Sequence, residues 1–410
     1  MFDSKEHLLD NGIKLVSIKK DTQLFSMHLG IKIGSLYEED NNRGISHFIE
    51  HMLFKGTYTR SNERLNSNLE NIGGEYNAYT DHNCTIYSIT ALCDELENSV
   101  ELLGDMVTKS IFPEEEIKKE REVILAEIRT SKDDIEDITF KRINEVAYKK
   151  SPLKYDTLGT ESHIKSFTRK NLMDFYNKFY VPNNCYICIV SPFDHLYIKE
   201  LVNKYLTSWE KREFTRNKVL IEKNVPGVFR SYKNDIEQST IVYLFTFHDL
   251  DKDGELAFKI LNHKFGDSTN SILFRELREK RGLAYDVYTS LDTTNSVKSL
   301  YLYTAVAKES INETIDVINN CIKDIKEKKT VFDEDTMKLM KKVLKTAVVF
   351  TLEDPTDLSN YVIHQIIDGE NIYEFIEDMK RLDNIKREDI YAVGNKVLNN
   401  PTIHVLKNNN

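Results

Sequence analysis

The sequence predicts an α+β protein of two homologous α/β-sandwich domains, each a mostly antiparallel sheet flanked by helices. Three observations carry this expectation. At 410 residues the chain is too long for one ordinary domain. Strand-like and helix-like stretches recur in the same order in its two halves, the mark of an internal duplication with divergent sequence. A charged stretch without apolar periodicity, residues 208–226, separates those halves. The expected division is therefore an N-terminal domain over 1–207, a linker over 208–226 and a C-terminal domain over 227–410.

In the first half, apolar alternation predicts strands at 14–19 and 25–33. The apolar-patterned stretch around His47 reads as a helix, and 62–72 as a second one. Gly73 and Gly74 end that helix and let the chain turn sharply into a strand at 75–80. A strand at 85–91 follows, then helices to about residue 180. Among them is a long helix over 113–132, which opens on Pro113 and repeats Ile117, Val123, Ile124 and Ile128 at helical spacing. A strand at 185–190 closes the half. The second half follows the same plan: strands at 227–233 and 240–248, helices at 254–265 and 271–279, and strands at 284–291 and 298–305. Helices from 311 onward and a strand at 402–406 complete it.

A formal net charge of −10 argues against nucleic acid or an anionic membrane as partner. No stretch approaches the roughly 18 apolar residues that a membrane span requires. Residues Met1 to Asp10 lack a basic region followed by an apolar core, so a cytoplasmic protein is expected. Five cysteines (Cys84, Cys93, Cys185, Cys188 and Cys321) do not make a secretory disulfide framework. Cys185 and Cys188 have zinc-knuckle spacing, but on a strand residues three apart point to opposite faces, so both read as packing residues.

The chemistry is concentrated in His47-Phe48-Ile49-Glu50-His51. At 3.6 residues per turn, His47 and His51 share one helix face and can converge on one metal ion. Glu50 falls on that face too, where a general base can reach a water at the metal without itself binding the metal. A catalytic zinc commonly has three protein ligands, so one is still required. Glu127, on the long charged helix, is the candidate. Glu120 lies two turns before it and is placed to orient a histidine from behind.

These residues sit in blocks that resemble the pitrilysin and mitochondrial-processing-peptidase family of zinc metallopeptidases, in its short form. Gly44 through Thr57 is similar to the family's active-site helix. Gly73 through Thr80 looks like its edge strand, and Glu120 through Glu127 like its acidic helix, with Glu127 seventy-six residues after His51. Leu273 through Tyr285 is similar to its C-terminal Arg/Tyr block. Gly282 argues against one continuous helix there, which puts Arg278 at a helix end and Tyr285 at the start of a strand.

The resemblance implies one zinc ion per chain on His47, His51 and Glu127, with Glu50 as general base. It further implies that Asn77 and Ala78 contact an extended peptide added to the sheet edge, and that Arg278 and Tyr285 stabilise the oxyanion. The implied activity is cleavage of peptides or unfolded segments inside a dimeric clamshell chamber. The dimer would pair two copies, or this chain with a related one lacking the zinc residues, as in processing peptidases that trim leader or targeting peptides. Other relatives that have lost the zinc residues serve as non-catalytic scaffold subunits. Here every one of those residues is retained.

Overall fold

Eleven strands form two sheets in the computed structural model, which describes residues 2–408. The first sheet holds β1 (Asp3–Leu8), β2 (Lys14–Lys19), β3 (Leu24–Ile31), β4 (Glu75–Thr80), β5 (Thr85–Leu92) and β6 (Cys185–Ser191), in the order β1-β2-β6-β3-β5-β4. Only β2 and β6 run parallel; the other pairs are antiparallel. The second sheet holds β7 (Gly227–Lys233), β8 (Ser239–Thr246), β9 (Ala284–Asp292), β10 (Ser299–Val306) and β11 (Thr402–Asn408), in the order β7-β11-β8-β10-β9. Its one parallel pair is β7 with β11. Apart from β1, the two sheets share strand order and the sense of every pairing, as duplication requires.

The expected strands are present, each within a few residues of its expected bounds. The addition is β1, whose sequence Asp-Ser-Lys-Glu-His-Leu has no apolar alternation to mark it. It pairs antiparallel with β2 at the sheet edge, and side-chain bonds from Ser4 to Tyr373 at 2.6 Å and from Asp3 to His195 at 3.1 Å hold it as well.

At the centre of the first sheet, all seven residues of β6 are buried, because helices cover both faces. One face packs Val16, Ile18, Ile86, Tyr186, Cys188 and Val190 against Leu358, Val362, Ile363 and Ile367 of the helix Pro355–Asp368. The alternate residues Leu15, Leu29, Tyr87, Ile187 and Ile189 are buried as well. On their side lie α1 (Ile45–Met52), α3 (Leu96–Lys109) and the helix His195–Leu206, with α2 (Asn62–Asn71) between α1 and β4 in the chain. Two further helices matter below, α4 (Glu114–Asp133) and α5 (Ile135–Ala147).

The chain folds into two compact units whose borders cross the linear division at 208–226. The first takes the chain up to Arg129, then Asp156–Val219 and Val349–Glu374; the second takes Thr130–Tyr155, Leu220–Val348 and the chain from Phe375 on. The helix Pro355–Asp368 thus comes from the second half to cover the first sheet, while α5 comes from the first half to pack on β8 and β11. Each sheet has one apolar face that helices of its own half leave bare.

In the second unit the helix expected at 254–265 runs Lys252–Asn262 and then widens. The segment Phe274–Glu279 is also wide: the Lys280 N–H donates to the carbonyl of Arg275, five residues back, at 2.9 Å. Among the described residues no helix is long and apolar enough to cross a membrane.

Candidate metal centre

The short helix α1 carries three of the proposed site residues, and its start is fixed from outside. Gly44 precedes it with φ of 90°, a left-handed conformation, and a Cβ there would lie 2.6 Å from the carbonyl oxygen of Leu158. The buried Glu38 caps the helix: its two carboxylate oxygens accept the N–H groups of Gly44 and Ser46, each at 2.9 Å. Burial pushes the Glu38 carboxyl up to about 7, against the pull of these amide bonds. Ile45, Phe48, Ile49 and Met52 are buried and fix the roll of α1, which leaves His47 and His51 half-buried beside α4.

On α4, Pro113 precedes the first turn and Glu114, Glu115 and Glu116 complement the N-terminal end of the helix dipole. Ile117, Ile124, Leu125 and Ile128 face inward, whereas Val123 is exposed. That roll directs Glu120 and Glu127 at the two histidines. Glu127 Oε2 stands 3.9 Å from His47 Nε2 and 3.7 Å from His51 Nε2. Glu120 Oε2 lies 3.0 Å from His51 Nδ1, and its other oxygen accepts from Lys55 Nζ at 2.7 Å.

His47, His51 and Glu127 each offer one ligand atom, all within 4.8 Å of one another. The Glu127 oxygen facing the imidazoles is buried and has no hydrogen-bond partner. An orphaned buried carboxylate oxygen is costly, and a cation answers it. Tetrahedral ligands at about 2.1 Å from zinc stand about 3.4 Å apart, close to the 3.7 and 3.9 Å seen here. Two imidazoles and a carboxylate are a zinc-type donor set, so these residues fit zinc.

Glu50 is buried beside this cluster, and its Oε2 accepts from Thr80 Oγ1 at 2.6 Å. Burial raises its pKa, opposed by the Thr80 bond and the His51 charge and aided by Glu127. The two histidines diverge. Burial, with the neighbouring His51, takes His47 down to about 3. Burial also depresses His51, but its bond to Glu120 and the charges of Glu127 and Glu50 outweigh that and raise it. Bonds from His51 and Lys55 hold the Glu120 carboxyl below its usual range despite burial.

Asn77 and Ala78 lie on β4, bordered by β5 on one side and free on the other. The Ala78 N–H is taken by the Asn77 side chain at 2.9 Å instead of by a strand. Upstream, Gly73 has φ of 66°, and a Cβ on Gly74 would meet the carbonyl oxygen of Thr90 at 2.3 Å, so both glycines are needed to enter this edge. Arg278 and Tyr285 sit together in the second unit: the guanidinium stacks 4.7 Å over the tyrosine ring and 4.9 Å over Phe274, and Tyr285 is 76% exposed.

Sequence reasoning missed Thr80, Lys55 and Glu38. The first two fall inside the recognisable blocks but carry no periodic or spacing signal. Glu38 acts from a loop, where only the glycine at the helix start hints at a cap supplied from elsewhere.

Family models match two stretches of the chain: insulinase, peptidase family M16, over residues 14–161, and the M16 inactive domain over 166–344. A Rickettsia felis protein called an uncharacterized zinc protease is 30% identical over 403 residues, covering 96% of this chain and 95% of the relative. The beta subunit of the rat (Rattus norvegicus) mitochondrial-processing peptidase is 37% identical over 172 residues, 42% of this chain and 35% of that subunit. The structure of a protease from Helicobacter pylori superposes with a TM-score of 0.91 at 19% identity, covering 99% of this chain and 100% of that one. With nearly its whole length accounted for in this way, the chain belongs to the insulinase family of peptidases, family M16.

Proposed function

We propose that this chain is a zinc-dependent endopeptidase acting on peptides or unfolded segments. The observation that carries the reading is the convergence of His47, His51 and an unpartnered oxygen of Glu127 with the buried Glu50 beside them. Zinc held there would supply Lewis acidity toward the scissile carbonyl and a water acidified toward neutrality. Glu50 takes the proton of the attacking water and later delivers it to the leaving amine; its raised pKa suits both transfers. Thr80 holds the Glu50 carboxylate in position. Glu120 accepts from His51 Nδ1, which presents Nε2 to the metal.

The free edge of β4 receives the substrate as an added strand, and the Asn77 side chain gives up the Ala78 N–H to it. Arg278 and Tyr285 donate to the peptide carbonyl and the developing oxyanion, a role that rests on the family resemblance. The active form is a cytoplasmic homodimer whose partner contributes the Arg/Tyr block. Likeness to a processing-peptidase beta subunit supports a second reading, in which this chain is the zinc-bearing half of a heterodimer that trims leader peptides.

The test is hydrolysis of a mixed peptide library by the purified protein and by Glu50→Gln, with cut sites read by mass spectrometry. Loss of turnover by about 10²–10⁴-fold with zinc content unchanged is expected. Cleavage by Glu50→Gln at the parental rate sinks the mechanism. If the zinc-loaded parent cuts nothing alone but does so with a co-purifying subunit, the heterodimer is supported instead.

A further inference from the structure

A second set of metal-ligating side chains lies in the first unit, apart from the His47, His51 and Glu127 centre. The chain turns from β4 into β5 through Asp81, His82, Asn83 and Cys84. Asp81 Oδ1 tightens this turn by accepting the N–H groups of Asn83 and Cys84, each at 2.6 Å. Its other oxygen, Oδ2, lies 3.5 Å from Cys84 Sγ. His364, on the helix Pro355–Asp368, reaches the same place. A carboxylate oxygen of Asp81, Sγ of Cys84 and a ring nitrogen of His364 all lie within 4.8 Å of one another.

The His364 ring is oriented from behind. Tyr79 Oη donates its one proton to Asn360 Oδ1 at 2.8 Å and stands 2.8 Å from His364 Nε2. Its oxygen therefore accepts from Nε2–H, which leaves Nδ1 as the nitrogen with a free lone pair. Such a bond behind a ligating histidine is the support that metal sites use. Cys84 is fully buried, and burial with the Asp81 charge holds its thiol well above its usual pKa. The nearby Lys32 ammonium, whose charge partly opposes that rise, donates to the carbonyl of Ile367 at 2.6 Å.

We propose that Asp81, Cys84 and His364 form a second metal site, for a thiophilic divalent cation of the zinc class, with water as fourth ligand. Thiolate, imidazole and carboxylate together favour zinc over magnesium or calcium. Binding expels the Cys84 proton to solvent, and the thiolate and carboxylate then neutralise the dication. The ion ties the β4–β5 turn to the helix Pro355–Asp368. Thr80, the hydrogen-bond partner of Glu50, is the residue immediately before this turn, so the site clamps the strand on which that partner stands.

The test titrates the metal-stripped, full-length protein with Co²⁺. A thiolate ligand gives a near-ultraviolet charge-transfer band that a His/His/Glu centre cannot give. The parent is expected to show the band and to bind two equivalents; Cys84→Ser and His364→Gln lose the band and bind one. His364→Gln leaves the buried cysteine in place and carries the test if Cys84→Ser does not fold. A folded parent without the band, or a band that survives in either variant, overturns the proposal. The band is independent of the peptidase reading: were the first centre not to bind metal, the parent would take one equivalent and still show it.

Discussion

Lys55 and His51 both bond to Glu120, which is how a residue outside the proposed metal-ligand set governs one within it. Replacing Glu120 by Gln removes the charge that favours metal-binding His51. Zinc affinity is expected to fall by about 10–100-fold, read by competition with a chromophoric chelator; unchanged affinity refutes the assignment. Two other histidines make stability depend on pH. His28 and His404 are buried, and burial holds both down to about 4 against an ordinary 6.5. Below pH 6.5 the unfolded chain binds protons that the folded chain refuses, so stability present above 6.5 is lost as the pH falls toward 4. The loss is about 2 kcal/mol for each at pH 5. Unfolding midpoints at pH 7 and pH 5 check this, since His404→Gln should be the less pH-sensitive protein; equal sensitivity would clear His404 of the effect. The sequence made the convergence of His47, His51 and Glu127 readable because four-residue and seven-residue spacings survive translation into helix geometry. It hid the burial of His28 and His404, which depends on neighbours distant along the chain.

At the scale of elements, α1 depends on Gly44 and Glu38 more than on its own helix propensity. Gly44→Ala puts a side chain in the left-handed region, at about 1–2 kcal/mol, and drives it onto the carbonyl of Leu158. A lower melting temperature and reduced zinc content are expected together; a variant as stable as the parent would mean that the cap is not needed. On β4, Ala78→Pro deletes the N–H on the open edge while leaving the pairing to β5 in place. Loss of one main-chain hydrogen bond to substrate should raise KM about tenfold with little change in kcat. A kcat defect at constant KM would remove β4 from substrate binding. Helix and strand positions were legible from periodicity, but β1 was not, because its polar sequence earns no place in a core and is held by backbone bonds to β2 and by side-chain bonds to His195 and Tyr373, far along the chain.

At the scale of the molecule, the duplication is visible in both sequence and sheet order, whereas the exchange of helices between halves is not. Nothing in Leu358, Val362, Ile363 and Ile367 says which sheet they will cover; their apolar stripe fits either. A fragment ending at residue 226 lacks that helix and leaves Val16, Ile18, Ile86 and Val190 bare. It is expected to aggregate when expressed alone and to become soluble when residues 227–410 are co-expressed. A monomeric, cooperatively melting fragment would contradict this. The same wiring governs what happens on the ribosome. Synthesis runs from the N-terminus, so His47, His51 and Glu127 emerge long before the helix that completes their sheet, which begins at Pro355, 228 residues after Glu127. A nascent chain therefore carries His47, His51 and Glu127 but no finished fold, and on the function proposed above it gains no activity toward unfolded polypeptides still being made until most of its own length has been translated.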